Sequence, residues 1–112
     1  MTNKLTLDQY QAEAEKTAIY RNANTSANNT LIYTALGLNG EAGECAEHNK
    51  KYLRDGTLNH EALARELGDV LWYLAMFASE LEYDLSEIAQ INIDKLKDRH
   101  SRGTIGGSGD VR

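Results

Sequence analysis

Apolar residues recur three and four positions apart along most of the chain, which is the pattern of amphipathic helices packed on one another. The spacing predicts four helices. The first begins near Thr6, where Thr6-Leu-Asp-Gln9 can form a capping box, and carries Leu7, Tyr10, Ala14 and Ala18 on one face to about Arg21. Residues 22–30 are small and polar and read as a loop. The second helix runs from about Leu31 to Leu53 with Leu31, Ala35, Leu38, Ala42 and Cys45 in one stripe. Gly37, Gly40 and Gly43 lie inside it, each costing about 1 kcal/mol relative to Ala, so they mark close packing or a site that needs room. Asp55-Gly56 makes a turn. The third helix, roughly His60 to Glu82, is apolar around much of its circumference and is predicted to be the most buried. Asp84 to Glu87 supplies caps for a fourth helix that ends near His100. The pattern predicts one all-α domain over residues 1–100. Residues 101–112 form a Gly-rich tail, either a frayed end or a segment folded over a site or a neighbouring subunit.

Composition narrows the function classes. The 112 residues carry 12 Lys+Arg against 17 Asp+Glu, a formal charge of −5, which argues against a nucleic-acid backbone as partner. It permits metal cations and the phosphates they bridge. No apolar run approaches the roughly 20 residues of a membrane span, and the N-terminus lacks the apolar segment of a signal peptide. The single cysteine, Cys45, excludes an internal disulfide and fits a cytoplasmic location. A core of this size is modest, so self-association is a natural supplement.

The placement of the acids carries the chemistry. Residues three apart share a helix face, so Glu41 and Glu44 point the same way, with Gly37 and His48 beside them. Glu66 and Asp69 share a face with Leu63, Val70, Tyr73 and Phe77, a side that looks toward the core. Acids in an apolar stripe are costly to bury unless a cation compensates them. Two such pairs on neighbouring helices, facing each other, make an all-oxygen site of the kind that Mg²⁺ or Mn²⁺ prefers. Glu47 falls outside that face and reads either as a residue supporting the ligands from behind or as a surface residue, and His48 lies one turn from Glu44. Asn92, Lys95 and Arg99 continue the stripe of Ile88 and Ile91, where an amide and two cations can meet phosphate or a base edge. The same cations also suit a helix C-terminus.

Three stretches now stand together: Gly40-Glu-Ala-Gly-Glu-Cys-Ala-Glu47, Glu66-Leu-Gly-Asp-Val-Leu-Trp-Tyr73, and Asn92-x-x-Lys-Leu-x-x-Arg99. They resemble the MazG-like all-α nucleoside triphosphate pyrophosphohydrolases, whose pattern is Glu-x-x-Glu, a spacer, then Glu-x-x-Asp. The likeness runs from about Leu31 to Gly103. It implies a four-helix bundle completed by oligomerisation, as a homodimer or homotetramer. It implies that Glu41, Glu44, Glu66 and Asp69 bind Mg²⁺ and serve catalysis, and that a (d)NTP is cleaved to the monophosphate and pyrophosphate. It also implies that Tyr73 stacks on the base and that Asn92 and Lys95 contact substrate; on the mechanism expected here, Lys95 or Arg99 then balances the charge of the leaving pyrophosphate. Many members carry a further acid where this chain has Gly40.

Two other readings differ in what the acids do. In a non-catalytic nucleotide-binding or interaction module they pair only with Lys and Arg. A di-iron bundle uses Glu-x-x-His pairs, and no Glu here has a His three residues later.

Overall fold

The computed structural model describes residues 3–23 and 26–112. It contains five helices and, among the described residues, no strand. Helix α1 spans Leu7–Glu15 and opens with the expected capping box: Thr6 Oγ1 accepts from the Gln9 amide at 3.1 Å, and Gln9 Oε1 accepts from the Thr6 amide at 2.8 Å. It stops six residues before the predicted end. Thr17 folds its hydroxyl onto the Ala14 carbonyl at 2.7 Å, an alternative to the helix ladder, and Trp72 Nε1 donates to the same hydroxyl at 2.9 Å. A four-residue helix, α2 (Tyr20–Ala23), follows.

Helix α3, Ala27–Asp55, starts a turn earlier than its composition suggests, so the predicted loop at 22–30 is largely helical among its described residues; residues 24 and 25 lie outside them. The cause is tertiary. Thr30 Oγ1 donates to Glu80 Oε2 at 3.0 Å, and Glu80 also accepts from Tyr20 Oη at 2.7 Å and Arg21 Nε at 2.8 Å. Gly56, in the left-handed region at φ 80°, ends α3 by donating to the Tyr52 carbonyl at 2.7 Å. Asn59 then caps α4, His60–Glu80, through the Ala62 amide at 3.0 Å. Glu82 turns the chain at φ 65°, and α5 covers Leu85–Ser101.

Helices α3 and α4 form an antiparallel hairpin with the largest interface in the chain. Its register sets Thr30 against Glu80, Gly37 against Tyr73 and His48 against Glu66. As predicted, α4 has more buried positions than any other helix, with Ala75, Met76 and Ala78 in the core; Ala14, Ala18, Tyr20 and Leu85 complete it. On α3 the buried positions are Thr30 and Thr34, while the predicted stripe of Leu31, Ala35, Leu38, Ala42 and Cys45 is half-buried or exposed.

One polar side chain ties three elements together. Buried Gln11 of α1 donates to Ser79 Oγ at 2.9 Å and to the Tyr83 carbonyl at 3.0 Å, and accepts from the Leu85 amide at 2.7 Å. Asp8 adds bonds to the Ser86 amide and hydroxyl at 2.9 and 2.6 Å. The α4–α5 turn is thereby fixed to α1. Much apolar surface stays open, including Leu36 (68% exposed) and Leu67 (58%). Among the described residues no helix is long and apolar enough to cross a membrane.

Candidate functional site

The hairpin register brings three of the four predicted acids together. Glu41 of α3 and Glu66 and Asp69 of α4 each offer an oxygen, and these oxygens lie within 4.8 Å of one another. Glu41 and Glu66 are half-buried and Asp69 is exposed, so the cluster opens to solvent on one side. Among the described residues no Lys or Arg bridges to any of the three; His48 Nε2 approaches Glu66 Oε1 at 3.5 Å. Burial pushes the Glu41 carboxyl up from its ordinary value, and Asp69, Glu66 and Glu44 add to the shift through their negative charge. The Cys45 thiol is raised by burial and then by Glu66, Glu41 and Asp69, which places it on the rim of the same field. An excess of negative charge held between two helices favours a divalent cation. Glu44 is exposed and stands outside the three-oxygen group, close enough to act on Glu41. Glu47 bridges to Lys50 at 3.3 Å on the surface, as its position on the helix predicts.

Tyr73 borders the acids. Its ring lies flat against α3 at Gly37, where an added Cβ would fall 2.1 Å from Tyr73 Cε1. This accounts for one of the three helix glycines as a close approach; Gly40 and Gly43 have nothing within 4 Å of an added Cβ and face open space. Tyr33 and Trp72 flank the Tyr73 ring at centroid distances of 6.2 and 4.9 Å. A hydrogen bond with Tyr33, then burial, then the charges of Tyr33, Glu41 and Asp69 push the Tyr73 hydroxyl up to about 12. Burial and then the Asp69 charge raise the Tyr10 hydroxyl of α1 as well. Tyr10 and Tyr33 are neighbours of the site that sequence reasoning did not single out. Tyr33 had a usable signal, since it lies one turn before Gly37 on the same face.

The predicted substrate cations are elsewhere in the chain. Asn92 lines an apolar groove with Leu71, Leu74, Leu85 and Ile88. Leu71 and Leu74 lie roughly 200° and 140° around α4 from Asp69, so this part of α5 packs on the face of α4 turned away from the acids. Lys95 Nζ meets Asp110 Oδ1 at 2.7 Å, and Arg99 Nη2 donates to the same oxygen at 3.2 Å and to the Asp110 carbonyl. Lys95, then Arg99, hold the Asp110 carboxyl below its ordinary range. The Arg99 side chain is 6% exposed and that of Lys95 38%. The tail therefore folds back on the end of α5. Among the described residues, neither Lys95 nor Arg99 pairs with Glu41, Glu66 or Asp69.

Residues 29–104 match the MazG nucleotide pyrophosphohydrolase domain. The chain is similar to the gene 37 protein of Mycobacterium phage L5, 46% identical over 112 residues, spanning 95% of this chain and 98% of that one. No solved structure matches. The matched segment holds all but the first two residues of the α3–α4 hairpin, with its facing acids, and the whole of the cation-bearing α5, and on that extent the chain belongs to the MazG nucleotide pyrophosphohydrolase family.

Proposed function

We propose that the protein is a Mg²⁺-dependent nucleoside triphosphate pyrophosphohydrolase that cleaves a (d)NTP to the (d)NMP and pyrophosphate, a reaction suited to clearing unwanted nucleotides from the cytoplasmic pool. The observation that carries this reading is the convergence of Glu41, Glu66 and Asp69 within 4.8 Å, with no Lys or Arg among the described residues paired to any of them. The donor set is all oxygen and partly open to solvent, which fits Mg²⁺, with Mn²⁺ as an alternative. Glu41, Glu66 and Asp69 hold the metal, and Glu44, one turn along α3, is the fourth ligand. When bound, the metal neutralises triphosphate charge and makes the α-phosphorus open to attack by water. The chain's own groups do the rest. One of the four carboxylates orients the attacking water and takes its proton. Tyr73, held flat by Gly37, offers its ring to the base. Asn92 and Lys95 contact the substrate, and Arg99 balances charge at the phosphate end.

Because α5 packs on the far face of α4, these residues reach the acids of a second copy, in a homodimer or homotetramer. The exposed Ile32, Leu36, Leu67 and Ile91 support such an assembly, since each leaves apolar area in water that a partner helix would cover. The test is product analysis with Mg²⁺ and each common NTP and dNTP, and dUTP. Monophosphate with pyrophosphate, abolished by EDTA, is expected. Diphosphate with phosphate, or full turnover in both Glu44→Gln and Asp69→Asn, would overturn the reading.

A further inference from the structure

The C-terminal tail is a built loop rather than a frayed end. Gly103 and Gly109 take left-handed conformations at φ 72° and 83°, which L side chains rarely adopt. The Thr104 amide donates to the Arg99 carbonyl at 2.8 Å. Arg112 folds back over the loop, donating to the carbonyls of Thr104 at 3.0 Å, Ile105 at 3.2 Å and Gly109. Arg102 donates to the Arg112 carbonyl at 2.6 Å. Gly107 leaves room for this closure, since a Cβ there would fall 2.6 Å from Arg112 Cδ. The product of the loop is the placement of one carboxylate, Asp110, whose Oδ1 is shared by Lys95 and the buried guanidinium of Arg99.

Resting on the reading of Lys95 as a substrate-phosphate ligand, we propose that Asp110 is a positioning residue. It is anchored by Arg99 and fixes the Lys95 ammonium in the place where it receives the pyrophosphate portion of the substrate. A lysine has a long, flexible stem, and ordering it at the moment of binding lowers affinity. Here the ordering is already done: Lys95 is held at 2.7 Å yet remains 38% exposed, with ammonium protons left for a phosphate. Arg99 has almost no exposed surface, so its charge bears on the phosphate from behind Asp110 without touching it. Gly109, immediately before Asp110, sets the direction of the carboxylate.

The experiment is calorimetric titration of inorganic pyrophosphate, with saturating Mg²⁺, into the full chain and its variants. Asp110→Ala is expected to weaken binding about 3- to 10-fold, the range set by ordering one long side chain. Gly109→Ala keeps the carboxylate, strains its placement, and is expected to weaken binding in the same direction. Asp110→Ala added to Lys95→Ala is expected to cost nothing further, because Asp110 acts through Lys95; a merely structural role would weaken binding in both backgrounds. Where a triphosphate is turned over, the loss is expected in KM with kcat unchanged. Undiminished binding in Asp110→Ala overturns the proposal, and tighter binding would make the tail a competitor of phosphate instead. Undiminished binding in Lys95→Ala, or none in the unaltered chain, overturns the assignment of Lys95 itself and the role of Asp110 with it.

Discussion

Replacing Asp69 with Asn is expected to stabilise the metal-free protein and to abolish its stabilisation by Mg²⁺. Three carboxylate oxygens within 4.8 Å repel one another in the absence of a cation. At that separation each pair costs about 0.9 kcal/mol in a water-like dielectric, which suits a cluster that opens to solvent. Asp69 takes part in two of the three pairs, and salt at 0.1 M, with a Debye length of about 10 Å, removes part of the total. The gain on substitution is then about 1 kcal/mol, roughly 4 °C in Tm for a chain of this size. The bound metal reverses the balance. At a hundred times its Kd, Mg²⁺ stabilises the unaltered protein by about 2.7 kcal/mol, and a site short of one ligand loses much of that. Thermal unfolding followed by circular dichroism, in EDTA and across a Mg²⁺ titration, gives two curves that cross: the variant is higher in EDTA and lower at saturating metal. Glu47→Gln is the control, since Glu47 pairs with Lys50 away from the cluster and its curve should follow that of the unaltered protein. A variant less stable than the parent in EDTA, together with a parent whose Tm ignores Mg²⁺, would refute the reasoning.

Four further outcomes follow from packing and hydrogen bonding. Gly37→Ala sets a methyl 2.1 Å from the Tyr73 ring and is expected to lower stability by about 1–2 kcal/mol in urea titration, the overpacking cost less the helix-propensity gain. Gly40→Ala, which meets nothing, is expected to raise the stability of the isolated chain by up to about 1 kcal/mol. Gln11→Ala strips partners from the Leu85 amide and the Tyr83 carbonyl and is expected to cost about 2–4 kcal/mol, read from the shift in urea midpoint. Burial pushes the Glu80 carboxyl up, but hydrogen bonds from Tyr20, Arg21 and Thr30 outweigh it and hold the group below its ordinary 4.5. A depressed carboxyl stabilises the fold above its unfolded value and loses that contribution as pH falls through the folded one. Stability should therefore drop below pH 4.5, and Glu80→Gln should flatten that part of the pH profile.

The features legible in the sequence are those decided within a turn or two of chain. Thr6 and Gln9 cap each other three residues apart, Gly56 stops α3 at the Asp-Gly turn, and Glu66 and Asp69 share one face of α4 through their own spacing. Features set by residues far away in sequence were not legible. The early start of α3 depends on a bond from Thr30 to Glu80, 50 residues on, and the break after Glu15 on one from Trp72 to Thr17, 55 residues back. Composition alone made both segments look otherwise. The tail is a similar case. Asp110 is a lone acid among glycines, and its meaning appears only when the loop returns it to Lys95 and Arg99.

Periodicity also reports which positions are apolar on one face without reporting what covers them. It correctly marked α4 as the core helix, yet Leu67 on α4, Leu36 on α3 and Ile91 on α5 stand in water in the single chain. The same limit explains the cations of α5. In one chain Asn92 lies beside Leu71 and Leu74, and Lys95 and Arg99 pair with Asp110. In the homo-oligomer proposed above, a second copy would cover the open apolar side chains and bring Lys95 to the acids, so that one assembly would account for both. A variant that blocks association, such as Leu36→Glu, is accordingly expected to lose pyrophosphate binding while keeping its helical circular dichroism.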